Sequence, residues 1–512
     1  MPQELSLSEL KHVMPGFHRL FPDSPDYLMA LAQMLLVKGL EAKARECLDE
    51  ACRAGAADAA VALLLARHEL DKFRYAAALE LICPFANDQT RDASIFEVVA
   101  NCHFNLNQFE LAATAYAAML RLNPTSAYGL ASYAGTLSKL YRYQEGEQAA
   151  SQALRYDPRH AVALHNLEHV LVQQGKFDQA EEVVLRGLRL HPDDPTLTTD
   201  LAFFHLHRGN FRKGWRLWEA RFASEPGRFC RHSMFRYPRW NGESFAGKTL
   251  LIYGEQGIGD NIMAARLLYE VKRRGGRLVM EVQPALTGLL GRHPAVDAVY
   301  ELNPARDLDQ PFDLWIPSMS LMRIFEVSPQ NAYSSARYLW ADDSSVEYWR
   351  SRIGSGHTMR VGIAWSGNPV FRNDNERSVP YRDLCSLLEL SEVSFFSLQL
   401  APGWDALHPK PPELTDFSDE LLSMSDTAAL TEAMDLVISV DTSVLHLAGA
   451  LGKPAWQLSA FQSEWRWGAG ETTYWYPSVS IFRQARAGDW ASLIEPIKRR
   501  LREVAKTDRT SS

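Results

Sequence analysis

Three short segments of the 512-residue chain combine residue types that do chemistry when they are held together. The first is Gly254-Glu255-Gln256-Gly257-Ile258-Gly259-Asp260. Gly257 and Gly259 let backbone N–H groups approach a ligand, and a helix that follows presents its positive end there. Asp260 stands where that helix begins. It either caps the helix or is a carboxylate able to accept a proton, and one residue can do both. The second segment runs from Asp441 to Pro454 and opens with Asp441-Thr442-Ser443, followed by His446. Two hydroxyls and the unpaired N–H groups of a helix start make a seat for phosphate. Simple capping by Asp441 or Thr442 is the alternative, and His446, one turn in, is by itself more often a packed ring than a catalyst. The third is Trp365-Ser366-Gly367-Asn368-Pro369, leading to Arg372 and Arg377. Those arginines either clamp a phosphate in a two-pronged fork or are solvated loop charges.

A rival reading covers the first segment. Glu281 lies 22 residues after Gly259 at the end of the next apolar run, where the ribose-binding acid of a dinucleotide unit is expected. The glycines run G-x-x-G-x-G rather than G-x-G-x-x-G, so the tight-turn glycine is misplaced. The aromatic cluster Trp465, Trp467, Tyr474, Trp475 and Tyr476 either stacks a nucleotide base or packs a core.

The elements that must position these loops are short apolar runs alternating with helix-length stretches. TLLIY (249–253), RLVMEV (277–282), DAVY (297–300) and DLWI (313–316) read as strands of a first block. RVGIAWS (360–366), SFFSLQ (394–399), DLVISV (435–440), PAWQL (454–458) and VSIFRQ (479–484) form a second, closed by ASLIEPIKRRLREVAK (491–506). Such alternation argues two parallel α/β layers with a cleft between them, the ligands lying beyond the carboxyl ends of the strands. The first block is short for a complete layer: either it is trimmed and the preceding helices pack against it, or it hides further strands.

The front of the chain repeats itself. Phe109, Tyr143, Phe177 and Phe211 are 34 residues apart, and Pro124, Pro158 and Pro192 keep the same step. Ala112, Gly146 and Ala180 each follow their aromatic by three residues. That period signals stacked helical hairpins, with the small residue allowing close approach and the proline ending the second helix. It resembles the tetratricopeptide repeat over about 93–192, with a further copy beginning at 210–222 and weaker copies before residue 93, where Leu40, Phe73 and Phe109 are spaced 33 and 36 apart. Glu168 stands where a small residue is usual. Such a solenoid captures a peptide or protein along its concave face, or serves as a spacer or dimerisation module.

Composition narrows the setting. Charges of 54 basic against 62 acidic residues give a net of −8, which excludes a globally basic nucleic-acid binder. The six cysteines show neither zinc-site nor disulfide spacing, and neither a secretory signal nor a run long enough to span a membrane is present, so a reducing cytoplasm is expected. Residues 223–247, rich in proline, glycine and arginine beside Phe235, Tyr237 and Trp240, read as a linker whose aromatics pack on the next domain or as an anion patch.

Taken in order, GEQGIGD, AWSGNP with RNDNERSVP, and DLVISVDTSVLHLAGALGKP are similar to bacterial TPR-linked glycosyltransferases related to heptosyltransferases and, more distantly, to O-GlcNAc-transferase-like enzymes. The resemblance spans about 245–500. It implies an α plus α/β architecture: a TPR-like solenoid over 1–222 (clearest 93–222), a linker over 223–247, and a GT-B-like pair of Rossmann-type α/β domains, an acceptor-side half at 248–345 and a nucleotide-sugar half at 357–506. By resemblance Asp260 is the general base, and Asp441, Thr442, Ser443 and His446 hold the donor phosphates. Arg377 is the basic phosphate contact, with Arg372 as its alternative, and Gly257 and Gly259 form the acceptor-side loop. Ser443 departs from the family, which has glycine there. The implied reaction is metal-independent, inverting sugar transfer from a nucleotide-sugar, with no resident cofactor. The acceptor is a hydroxyl, expected on a protein held by the solenoid, flagellin being one candidate. A non-catalytic adaptor with a nucleotide-binding α/β part is the alternative.

Overall fold

The computed structural model describes residues 24–224, 236–303, 311–331, 337–354, 356, 358–368, 374–399 and 411–511. They fall in two compact units, Met1–Leu171 and Val172–Ser512.

The first unit is a run of helical hairpins: Pro25–Val37 with Glu41–Arg53, Asp58–Asp71 with Tyr75–Ile82, Ala93–Asn105 with Phe109–Leu122, and Ala127–Lys139 with Tyr143–Tyr156. Each hairpin turns on one residue in the left-handed region: Gly39 (φ 74°), Phe73 (59°), Asn107 (59°) and Tyr141 (58°). The residue after each donates its N–H back to a carbonyl five residues earlier, as Leu40 does to Leu35 at 2.9 Å and Gln108 to His103 at 2.9 Å. This is the Schellman closure of a helix C-terminus, which demands positive φ. Gly175 and Gly209 hold the same place in the second unit, so the turn recurs every 34 residues from 39 to 209. The early copies are therefore in step. Tyr75, not Phe73, heads the helix 34 residues before Phe109, and Phe73 is the exposed turn residue. The small residues are where helices touch: Ala112 is fully buried, and a Cβ on Gly146 would stand 3.2 Å from the Ala134 carbonyl and the Val170 side chain.

The second unit opens with helices Phe177–Leu190, Pro195–His207 and Phe211–Leu217 and continues into two parallel sheets. The first contains β1 (Thr249–Tyr253), β2 (Arg277–Val282), β3 (Ala298–Glu301) and β4 (Leu314–Pro317), in the order β3-β2-β1-β4. The second contains β5 (Met359–Ala364), β6 (Val393–Ser397), β7 (Leu414–Asp416), β8 (Leu436–Ser439), β9 (Ala455–Ser459) and β10 (Val479–Arg483), in the order β10-β9-β8-β5-β6-β7. Counted from its first strand, the second sheet has the doubly wound order 3-2-1-4-5-6, and the first is the same order stopped at its fourth strand. Each sheet reverses direction between its first and fourth strands, β1/β4 and β5/β8. The carboxyl ends at those reversals carry the three candidate loops. β7 is the strand that periodicity misses: three residues, LTD, hold one apolar side chain.

The first block is trimmed rather than misread, since the described residues add no strand to it. The end of the helical array covers it instead. Trp215 Nε1 donates to the Val327 carbonyl at 2.6 Å, and Arg221 forms a two-pronged pair with Glu255 at 2.9 and 2.6 Å. One continuous core takes in Phe211 and Trp215, the first sheet, and the inner face of the second through Ala364, Phe396 and Val437. The outer face of the second sheet packs on the Trp490–Ser511 helix through Trp490, Ile494, Ile497 and Leu501. In the linker, Trp240 is fully buried against Phe245, and Arg239 is taken by Glu219 and Ser320. That part packs on the next domain; Arg228, Arg231 and Phe235 lie outside the described residues.

Because Phe73 is exposed and held at positive φ, Phe73→Gly removes a backbone penalty at little packing cost. An increase in stability of about 1 kcal/mol is expected, read as a higher urea midpoint of the helical signal. A lower midpoint would show that its ring matters more than its backbone.

Candidate functional site

The loop after β1 becomes the Ile258–Ala264 helix, and the loop after β8 becomes the Ser443–Ala450 helix. The two helices pack against each other within the second unit. The approach is close enough to require glycine: a Cβ on Gly259 would stand 2.5 Å from His446 Cδ2. Gly259 and His446, assigned to opposite halves by sequence, are thus neighbours.

Asp260 closes its own helix. Gly257 is the N-cap, and its N–H donates to Asp260 Oδ2 at 2.9 Å. The other oxygen, Oδ1, is ion-paired with Arg466. Asp260 thus serves its own helix through one oxygen and the other half of the unit through the second. The dinucleotide alternative fares worse on this geometry. The helix end that would receive a pyrophosphate already carries a carboxylate, whose charge repels the phosphate. Glu281 is buried at the end of β2.

At the second loop Thr442 is the N-cap of the Ser443–Ala450 helix, and its side chain makes no capping hydrogen bond. The Thr442 hydroxyl is engaged with Ser439 Oγ at 3.0 Å instead. The N–H groups of Leu445 and His446 donate to the Thr442 carbonyl at 3.1 and 3.3 Å, and half-buried Ser443 stands at the first position of the helix. His446 is buried, its Nδ1 2.7 Å from Tyr476 Oη and its Nε2 3.9 Å from Asp441 Oδ1. Burial holds its pKa well below the ordinary value near 6.5, reinforced by Arg466, Arg266 and Arg377, so it is a neutral ring. Burial also raises the Asp441 carboxyl, with Arg377 and Arg466 opposing it.

At the third loop, Arg377 ends the short Asp374–Arg377 helix and its Nε donates to Asp374 Oδ1 at 2.9 Å. Its charge acts on Asp441 and His446. Gly367 packs so tightly on Asp374 and Arg377 that no Cβ fits there. Ser378 Oγ accepts from Gly367 N at 3.2 Å and donates to Asp374 Oδ2 at 2.9 Å, and Gln399 Oε1 accepts from the N–H groups of Trp365 and Ser366, each at 3.3 Å. Arg372 lies outside the described residues.

Sequence reasoning missed Arg466. It sits in the segment between β9 and β10, buried, with its guanidinium 4.3 Å from the Trp465 ring centre and paired with both Asp260 and Glu464. The signal was visible as one arginine between two tryptophans, Trp465-Arg466-Trp467. The surrounding aromatics form core rather than a base-stacking platform: Trp465, Trp467, Trp475 and Tyr476 are buried, and Trp215 meets Trp465 edge-on at 5.0 Å. Tyr474 is exposed. A cavity of about 340 Å³ beside the Asp343–Ile353 helix is lined by Ser344, Ser345, Tyr348, Trp349, Glu420 and Asp426, none of them a residue that sequence pointed to.

Two outcomes follow from this packing. Gly259→Ala forces a methyl into a ring pinned by Tyr476, and a loss of about 1–3 kcal/mol in unfolding free energy is expected; an unchanged urea midpoint would mean that the helices separate freely. His446 remains neutral when folded, whereas the unfolded chain takes up a proton near pH 6.5. Stability should therefore fall as pH drops from 7 to 5, by up to about 1.4 kcal/mol per pH unit from this residue. Urea midpoints of His446→Gln should show a shallower pH dependence; an equal slope would contradict it.

The chain matches the tetratricopeptide repeat family over residues 137–202. It is 26% identical over 342 residues to Protein FlbA of Caulobacter vibrioides, which covers 61% of this chain. The chain spans 57% of the length of FlbA. Among solved structures, it is similar to YrrB, described as a TPR protein with an unusual peptide-binding site, with 16% identity and a TM-score of 0.30 over 35% of this chain and 92% of that one. A tetratricopeptide repeat protein from Parabacteroides merdae gives 21% identity and a TM-score of 0.35 over 40% of this chain and 80% of that one. The chain thus carries tetratricopeptide repeats joined to parallel α/β structure, and no helix among the described residues is long and apolar enough to cross a membrane.

Proposed function

We propose that the second unit is a glycosyltransferase whose two parallel sheets act as a GT-B-type pair and whose donor is a nucleotide-sugar. The observation that carries this reading is the meeting of two unlike loops at the strand reversals of two sheets. One brings a carboxylate, Asp260; the other brings a helix N-terminus whose N-cap side chain makes no capping hydrogen bond, together with Thr442, Ser443 and the Arg377 charge.

In this account Asp260 takes the proton of an acceptor hydroxyl as its oxygen bonds to the anomeric carbon. The bond from that carbon to the departing phosphate oxygen breaks in the same displacement, inverting the centre. The Ser443–Ala450 helix end, Thr442 and Arg377 hold the departing nucleotide's charge, so no metal is needed for that step. Neutral His446 positions the loop through Tyr476 and Asp441 rather than carrying a proton. The tetratricopeptide repeats supply protein-binding capacity, which favours a protein acceptor, with flagellin the first to try.

The test is a thermal-shift panel of UDP, GDP, ADP, CMP and NAD⁺, followed by transfer assays with the matching sugar donor. One sugar-nucleotide product should raise the melting temperature, and Arg377→Ala should remove that shift. Asp260→Asn should lower kcat by about 10²–10⁴-fold. A shift with NAD⁺ alone would overturn the reading. Nucleotide binding with no transfer or donor hydrolysis would favour a non-catalytic adaptor.

A further inference from the structure

Arg466 is a planar cation buried among groups that would compete for it. Its Nη2 holds Asp260 and its Nη1 holds Glu464, while Nε is buried with no hydrogen-bond partner. Trp465 backs the guanidinium face at 4.3 Å and fixes its plane. Asp441 and the helix end that begins at Ser443 lie within its field, since Arg466 opposes the burial-driven rise of the Asp441 carboxyl. A guanidinium suits phosphate as well as carboxylate, because its paired N–H groups match two oxygens of either. An Asp260 oxygen that accepts from Arg466 cannot at the same time accept from an acceptor hydroxyl along that direction.

We propose that Arg466 is an exchangeable latch on Asp260: the phosphate of an arriving nucleotide takes the guanidinium, and Asp260 Oδ1 is released to face the acceptor. This rests on the donor-site reading given above and adds an order to it, donor before acceptor. After the exchange Asp260 keeps only the Gly257 N–H on Oδ2, which preserves its position while it loses its counter-charge. Glu464 stays as the second, more exposed partner that holds the guanidinium in place. The nucleotide thereby activates the base, and without donor the carboxylate stays occupied.

The exchange makes an unusual demand: removal of the supposed base should improve nucleotide binding. By isothermal titration with UDP, GDP, ADP and CMP, Asp260→Asn should bind the preferred nucleotide about tenfold more tightly than the native chain. In an Arg466→Gln background that gain should vanish. If Arg466→Gln fails to fold by circular dichroism, Arg466→Met serves in its place, since it too removes the charge, and the same loss of coupling is expected. An equal gain in both backgrounds would reduce the effect to through-space charge and overturn the latch, as would no gain at all. Either result, with binding still lost in Arg377→Ala, would leave the donor site standing. No binding of any of the four by either the native chain or Asp260→Asn would overturn the latch and the donor site together.

Discussion

The ion pair between half-buried Asp260 and buried Arg466 is the constraint on which the candidate site depends. Asp260 follows the first strand of one sheet, and Arg466 follows the fifth strand of the other. A charge taken out of water is tolerated only with a partner, and loss of one member of such a pair typically costs about 3–5 kcal/mol. The two halves of the second unit are thus tied together by groups that the proposed function also employs. Close packing reinforces it: Gly259 lies under His446, and Arg266, itself buried, donates to the Trp475 carbonyl at 3.1 Å and the Tyr338 hydroxyl at 3.3 Å.

The helical segment before the sheets takes part in the same architecture. The first sheet stops at four strands, and the Phe211–Ser224 stretch covers what remains through Trp215, the Arg221–Glu255 pair and the Trp465–Trp475 cluster. Glu255 is two residues before Gly257, so the last helical turn sets the position of the loop that carries Asp260. The repeats in this unit are joined to the α/β part through a shared apolar core rather than a free tether.

Much of this was legible in the sequence because periodicity reports burial directly. Nine strands stand where short apolar runs predicted them, and the 34-residue step marked the hairpins. The early repeats read as out of step only because Phe73 was matched to Phe109. The structural constant is backbone, a left-handed turn residue, and glycine, asparagine, tyrosine and phenylalanine all occupy it. β7 was invisible because three residues carry no period. The positions of the three candidate loops were legible because glycine, hydroxyl and carboxylate mark the turns where strands end and helices begin. Arg466 was not, because a buried arginine is defined by partners distant in sequence, here Asp260 at a separation of 206 residues. The aromatics beside it resolved into core, as their burial requires.

The central claim is that the loops after β1 and β8 form one nucleotide-dependent site. Hydrogen–deuterium exchange of the full chain, with and without UDP, GDP, ADP or CMP, tests it most directly. The account expects one nucleotide to slow exchange in peptides covering 440–450, where the helix end receives phosphate, and to alter exchange in peptides covering 254–266, where Asp260 is released. Slowed exchange confined to segments away from both loops, or none with any of the four nucleotides, would contradict it.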